Sequence, residues 1–426
     1  MKNLRWIISV VGLILALAVL FTGSPKAPEH AKYKEIEFWT LQLSDFAPYI
    51  NGVIADYQKL HPDVKIKWID VPFSEGEKRA LAAVMSNDVP DIINMNPSFG
   101  STLASRGVLV DLNKYVSKKD FDKYLPESWG ASTLGNLTFG IPWYITSSIT
   151  MYNADILKKA GLNPDNPPTT YDELGKISKI VKDKTGKYAF MPNLTEDGHI
   201  IKIFNKYNIP IVNKERNKAL FNTPEAVKIL TFWAELYNNR LIPPESLTQG
   251  HRVSLEQYQA GENAFIFTGA NFLRMIKDNA PRVYNVTRVA PQITGSSGKV
   301  DFALMNLVIP IKSKYPGEAV DFALFLTNSE NQLKFCKLAP ILPSSKEAVN
   351  SDYFKNKNTK NIIDKARSLS ALQLNNALAP IPPLENQKDL FEIADYATQQ
   401  ALLKQKTPKQ ALDQAVNDWN KILKSN

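Results

Sequence analysis

Residues 135–161, GNLTFGIPWYITSSITMYNADILKKAG, constrain the fold more than any other stretch of this chain. A turn at Gly135-Asn136 leads into a short apolar strand ending at Pro142. The aromatic pair Trp143-Tyr144 follows, then the hydroxyl-rich run Thr146–Thr150, Met151-Tyr152 and a capped helix. A segment that leaves one apolar core, passes a polar and aromatic patch and enters a second core is built as a crossover between two lobes. Length agrees with that reading. A chain of 426 residues exceeds the ~250–300 residues at which a single core stops growing.

Lys2 and Arg5 precede an apolar run from Trp6 to Phe21, and Thr22-Gly23-Ser24 supplies small residues for cleavage. The pattern is that of a secretory signal. With Leu4 and Trp6 included, its length also approaches the ~18–20 residues of a retained N-terminal anchor. No cysteine lies near the cleavage site, which argues against a lipid-anchored lipoprotein. The protein is therefore expected to be exported, periplasmic or extracellular, and either released or tethered through residues 1–24. Residues 25–34 read as a polar linker.

Cys336, the single cysteine, rules out an intramolecular disulfide and reads as a small buried hydrophobe. The formal net charge is +9, but lysines and arginines alternate with acids, as in Lys118-Lys119-Asp120-Phe121-Asp122-Lys123. A nucleic-acid binder concentrates its basic residues on one face. A solvated basic surface, favourable beside an anionic membrane, fits better, and no nucleic-acid partner is expected.

Glu35–Trp39 alternates like a strand, and Tyr49, Ile50, Val53, Ile54, Tyr57 and Leu60 recur at helical spacing. His61-Pro62-Asp63 breaks that helix. Val64, Ile66 and Trp68 form a second strand, Glu75–Ser86 a helix, and 91–95 a third strand. Strands alternating with helices specify an α/β fold with a largely parallel sheet. Farther on, Thr170-Tyr-Asp-Glu173 is a capping box, and Thr223-Pro224 starts another helix. Residues 264–267 and 301–310 read as buried strands, and the chain closes with helices at 389–403 and 408–423.

The four histidines are mutually isolated, without metal-ligand spacing. No nucleophile elbow is present, and Gly295-Ser-Ser-Gly-Lys299 lacks the spacing of a phosphate loop. Nothing requires catalysis, a cofactor or a metal. What recurs is a set of polar and aromatic residues at strand ends: Trp39, Gln42 and Asp45; Met95, Asn96 and Ser98; Trp143, Tyr144 and Thr146; Asn271; Met305 and Asn306. Ligands of open α/β sheets bind outside the carboxyl ends of the strands. Aromatic faces with amides and acids suit sugars, whose C–H surfaces stack while their hydroxyls hydrogen-bond.

Ordered marks run from about Glu35 to Leu423. They include Ile36–Trp39, His61-Pro-Asp-Val-Lys-Ile, Asn87-Asp-Val-Pro-Asp-Ile-Ile, Ala104-Ser-Arg-Gly-Val-Leu-Val-Asp-Leu, Gly140-Ile-Pro, Met151-Tyr-Asn-Ala-Asp-Ile-Leu, Pro168-Thr-Thr-Tyr-Asp-Glu-Leu, Gln259-Ala-Gly-Glu-Asn-Ala-Phe and Ile341-Leu-Pro343. In these the chain resembles the extracellular solute-binding proteins of ABC importers, in the carbohydrate-binding branch that includes maltose-binding protein. The resemblance implies a two-lobed, type II periplasmic-binding-protein-like fold with hinge crossovers and a ligand cleft. Residues 35–142 and 303–343 would form the first lobe, 146–300 and 346–426 the second. Hinges would lie near 143–145, 301–302 and 344–345.

The resemblance also implies a monomer that binds carbohydrate and delivers it to ABC permease subunits. The strand-end residues named above would be its contacts. Asn271 stands where the family often has a stacking tryptophan, so another aromatic must serve or the ligand is smaller and more polar. A binding protein for a polyamine or peptide, and a secreted glycosidase, are the alternative classes.

Overall fold

The computed structural model describes residues 33–424 apart from 87–88, 356–359, 378–380, 382 and 385. The expected export signal or anchor, and most of the linker, lie outside the described residues. Among the described residues no helix is long and apolar enough to cross a membrane.

The N-terminal part alternates strand and helix: β1 (Lys34–Leu41), α1 (Ala47–Leu60), β2 (Val64–Val71), α2 (Phe73–Met85), β3 (Ile92–Met95) and α3 (Pro97–Ser105). A small hairpin of β4 (Thr133–Leu134) and β5 (Leu137–Thr138) leads into β6 (Ile141–Thr146). After Ser147 the chain starts β7 (Ser148–Asn153), then α4 (Ala154–Lys159), α5 (Tyr171–Thr185), α6 (His199–Lys206), α7 (Pro224–Asn238) and α8 (His251–Gln259). β8 (Phe265–Gly269), α9 (Phe272–Asn279) and β9 (Thr287–Ala290) follow. β10 (Ala303–Val308), α10 (Pro316–Leu326), α11 (Ser329–Leu338) and β11 (Leu342–Pro343) return to the first sheet. α12 (Ile362–Gln373), α13 (Gln387–Leu402) and α14 (Pro408–Lys424) end the chain.

Two sheets result. The first has the order β11-β6-β10-β3-β1-β2, the second β8-β7-β9. β1 pairs in parallel with β2 and β3, while β10 runs antiparallel between β3 and β6. The carboxyl ends of β1, β2, β3 and β6 therefore share one edge. Successive side chains of a strand face opposite ways, and both faces of the first sheet are covered. Ile36 and Phe38 join a core with α1 and α10, whereas Ile93 and Met95 join one with α2 and α3. In the second sheet Tyr152 enters a core built from α4 to α7, α13 and α14, and Ile149 and Met151 enter one with α8, α9 and α12.

Local signals explain the helix starts. Thr170 and Glu173 form the reciprocal capping box at α5, and Thr223 caps α7 with Pro224 in its first turn. Asn153 caps α4 by accepting from the Asp155 and Ile156 amides. Cys336 is buried.

Two expected hinge positions need correction. Residues 143–145 sit inside β6, which pairs with both β10 and β11, so the change of sheet falls at Ser147. Ser344 and Ser345 are buried, and the side chain of Gln332 binds the Ser344 amide at 2.6 Å while Ser344 Oγ donates to the Pro142 carbonyl at 2.8 Å. That network fixes 344–345 to the first sheet. Phe354, beyond it, also packs with Leu342 and Ile145, so the chain leaves the first lobe later than 346. α12 lies across the boundary, with Ala366 against the second sheet and Ala371 against Leu304 and Ile145.

The first two passages between sheets are tied together by two buried glutamines. Gln373 Nε2 donates to the Ser148 carbonyl (2.7 Å) and to Ser147 Oγ. Gln292 Oε1 accepts from the Asp301 amide (2.9 Å), and the Gln292 amide donates to Gln373 Oε1 (3.1 Å).

Trp143, expected at the cleft, is a core residue instead. It is fully buried, stacked on Phe335 at 5.5 Å and tilted against Phe38 at 6.2 Å. β11 and β10 flank it on either side of β6, which closes the sheet over it. Trp143→Ala should therefore cost ~3–5 kcal/mol of stability in urea unfolding, as for other large-to-small aromatic changes in cores. A loss below ~1 kcal/mol would contradict this placement.

Candidate functional site

A cavity of about 1030 Å³ opens between the carboxyl edge of the six-stranded sheet and the second lobe. Asn96 and Ser98 border it from the start of α3. Thr146 and Ser147 border it at the first passage, Asp301 and Phe302 at the second. From the second lobe come Asn271, Phe272, Asp197, Lys202 and one face of α13.

Local structure fixes several of these side chains. β3 ends at Met95, and Asn96 caps α3 by accepting from the Phe99 amide at 2.8 Å, which leaves its Nδ2 turned toward Glu77 Oε1 at 3.4 Å. Gly269, at the end of β8, has no room for a Cβ because the Asn271 side-chain oxygen folds back over it. On α13, Asp389, Glu392 and Asp395 recur every third residue and all border the cavity, a spacing that keeps them on one helical face.

Of the strand-end residues expected as contacts, Asn96, Ser98, Thr146 and Asn271 border this cavity. The others do not. Trp39 is half-buried on the first sheet, its Nε1 donating to Glu37 Oε1 at 2.7 Å beneath the Arg79 guanidinium. Gln42 and Asp45 are exposed beyond the end of β1. Met95 is buried and lines a smaller recess of about 230 Å³ with Asn96 and Phe99. Tyr144 packs edge-on against Phe335 at 5.7 Å, and burial pushes its phenol well above the ordinary value. Met305 pairs with Tyr144 inside the sheet. Asn306 is fully buried, its Oδ1 accepting from Ser132 Oγ at 3.0 Å and its carbonyl from Asn94 Nδ2 at 3.1 Å. With Trp143, the residues Met95, Tyr144, Met305 and Asn306 belong to the first sheet, in which β10 runs between β3 and β6.

Sequence reasoning missed Phe272, Phe302 and the acidic face of α13. Phe272 directly follows Asn271, and the recurrence of Asp389, Glu392 and Asp395 was visible, but equal spacing also suits a solvated helix face. Phe272 and Phe302 are half-buried, so each offers part of a ring to the cavity.

The electrostatics of the second-lobe wall are mixed. Lys206 Nζ lies 3.2 Å from Asp301 Oδ1, and Lys202 pairs with Asp197. Asp395 Oδ2 accepts from the Gly198 amide at 3.2 Å, while its Oδ1 is buried without a partner among the described residues. Desolvation raises this carboxyl to about 6. Desolvation, with Lys202 and Lys206 nearby, lowers His199 to about 4.

Residues 42–333 match the sequence profile of the bacterial extracellular solute-binding protein family. Among solved structures, the chain is similar to a protein of Synechococcus sp. MITs9220 assigned as an oligosaccharide periplasmic-binding protein: 37% identity, 92% of this chain and 99% of that one covered, TM-score 0.83. That protein has also been solved with zinc. Among the described residues here, no group of three or more His, Cys, Asp and Glu is gathered that could hold a metal. The arabinooligosaccharide-binding protein of Bacillus subtilis (strain 168) is 24% identical over 98% of this chain and 99% of its own. The cyclic α-maltosyl-1,6-maltose binding protein of Arthrobacter globiformis shares the fold, with 20% identity, 92% of this chain and 100% of that one covered, and a TM-score of 0.78.

Asp395 and His199 make opposite contributions to stability below neutral pH. Asp395, raised to about 6, holds its proton more tightly folded than unfolded, so stability falls as pH rises from about 4 to 6. His199, lowered to about 4, stays neutral in the folded chain where the unfolded chain is protonated, so stability falls as pH drops from about 6.5 to 4. Asp395→Asn should therefore melt above wild type at pH 7, lose that advantage by pH 4, and show the steeper decline between them. Parallel melting curves for the two proteins across this range would contradict the assignment.

Proposed function

The chain belongs to the bacterial extracellular solute-binding proteins, and from that premise we propose that it is the receptor of an ABC importer for a sugar or oligosaccharide. It is exported, binds its solute between the two lobes as they close, and hands it unchanged to membrane permease subunits. It acts as a monomer, untethered or held by residues 1–24, and turns over no substrate.

The observation that carries this reading is the composition of the cavity. Amides (Asn96, Asn271), hydroxyls (Ser98, Thr146) and the rings of Phe272 and Phe302 meet in one space from both lobes. Sugars need such a mixture of hydrogen-bonding groups and apolar faces. About 1030 Å³ stands at the top of the ~300–1,000 Å³ range of small-molecule sites, which favours a ligand of more than one sugar ring. The rings of Phe272 and Phe302 take the place of the tryptophan that Asn271 replaces. The names of the relatives, which bind arabino-oligosaccharides and a cyclic maltosyl-maltose, support the same ligand class.

Mechanistically, contacts from both lobes exist together only when the lobes approach, so ligand shifts the population toward the closed form. A micromolar Kd corresponds to roughly −8 kcal/mol, which a few hydrogen bonds and a covered ring can supply once water is excluded. The acidic face of α13 favours a second reading, a cationic solute such as a polyamine.

A thermal-shift screen separates the two. Arabinotriose, galactobiose or maltotriose should raise Tm, by the equivalent of ~2.7 kcal/mol at one hundred times its Kd, and spermidine should not. The reverse pattern would replace the carbohydrate reading with the cationic one. For the sugar that binds, Asn271→Ala should weaken affinity about 5- to 10-fold, the worth of one neutral hydrogen bond, with Tm in its absence unchanged. Unaltered affinity in both Asn271→Ala and Phe272→Ala would place the ligand elsewhere.

A further inference from the structure

We infer that Asp301 is a ligand-contacting carboxylate at the second passage between the lobes, and that Lys206, buried behind it, is its positioning residue. This rests on the carbohydrate-receptor reading and deepens it.

Asp301 stands two residues before β10, where the chain returns to the first sheet. Its side chain is 41% exposed and borders the cavity, whereas that of Lys206 is only 6% exposed. Lys206 extends from the last turn of α6 and meets three acceptors. They are Asp301 Oδ1 at 3.2 Å, Gln292 Oε1 at 3.0 Å and the Ile293 carbonyl at 3.3 Å. An ammonium has three donors, so all are engaged, and a cation so enclosed has no freedom to reach a ligand itself.

Lys206 acts on the cleft through Asp301. Gln292 grips the main chain of the same residue, accepting from its amide at 2.9 Å and donating to its carbonyl at 3.4 Å. Backbone and carboxylate are thus both held before any ligand arrives, which lowers the ordering cost of binding. Among the described residues only Lys206 pairs with this carboxylate. An ionised carboxylate has about four lone-pair sites, so acceptor capacity remains on the cavity side.

The occupant follows from charge. Desolvation alone would raise the Asp301 carboxyl, but the ammonium of Lys206, with smaller contributions from His199 and Lys202, offsets it and keeps it below the ordinary carboxylate range. Because Lys206 already neutralises the carboxylate, a neutral hydroxyl is a better partner for it than an ammonium ion. Asp301 therefore selects a polyhydroxylated neutral ligand, unlike the acidic face of α13.

Calorimetric titration of the full chain with arabinotriose, galactobiose and maltotriose tests this. Wild type should bind at least one of the three. Asp301→Ala and Lys206→Met should each weaken that binding about tenfold or more, as for loss of a hydrogen bond to a charged group. Lys206→Arg should restore most of the affinity. Lys206→Met added to Asp301→Ala should cost no further affinity, since both changes remove one unit.

Melting scans of the same variants report folding separately. A merely structural lysine would lower Tm and leave affinity alone in every background. If Asp301→Ala binds as wild type, or if Lys206→Met weakens binding equally with and without Asp301, the inference falls while the receptor reading stands. If wild type binds none of the three sugars, the carbohydrate reading falls and takes the inference with it.

Discussion

A chain that runs from one core into another must satisfy its main-chain polar groups at a place that belongs to neither sheet. Here that place is Ser147, just ahead of the first residue of β7, and Asp301, and two buried glutamines meet the requirement. Gln373 serves the first passage, Gln292 the second, and the Gln292 amide joins them through Gln373 Oε1. The geometry of the cavity depends on this clamp. It sets where β6 gives way to β7, and so which residues of the hydroxyl-rich run face solvent between the lobes. It also holds Asp301 and Phe302 at the rim rather than inside either core.

Elements specified by local chemistry were legible in the sequence. The alternation of β1 and β2, the capping box at Thr170 and the Thr223-Pro224 start depend on neighbours a few residues away. The site was legible only in part, because whether a strand-end side chain faces the cleft depends on which strand lies beside it. Asn96 and Asn271 lie beyond the ends of their strands and Thr146 ends β6 opposite the first residue of β10, and all three border the cavity. Trp143, Tyr144 and Asn306 looked equivalent, but β10, which carries Asn306, returns between β3 and β6 from a long way along the chain and sets all three inside the sheet. Ser344 misled for a similar reason, since its partner Gln332 lies on the preceding helix and fixes it to the first lobe. Residues 389–395 carry no motif, and nothing in their spacing separates a cleft-facing helix from a solvated one.

The charge arrangement is the other lesson of the second lobe. A chain of net charge +9 turns several carboxylates toward the cavity, but they differ in what lies behind them. Asp301 and Asp197 each have a lysine, whereas Asp395 has only the Gly198 amide on one oxygen. Paired carboxylates are fixed acceptors, and the unpaired one costs stability when it ionises. On the carbohydrate reading proposed above, this contrast lets a cleft with several acids accept an uncharged, hydroxyl-rich solute.

The most direct test of the account is a crystal structure of the protein grown with a bound oligosaccharide such as arabinotriose. The account predicts the sugar inside the cavity, with hydroxyls bonded to Asn96 or Thr146 on one side and to Asn271 on the other, and a sugar face against Phe272 or Phe302. A sugar held by one lobe alone, or seated away from these residues, would contradict it.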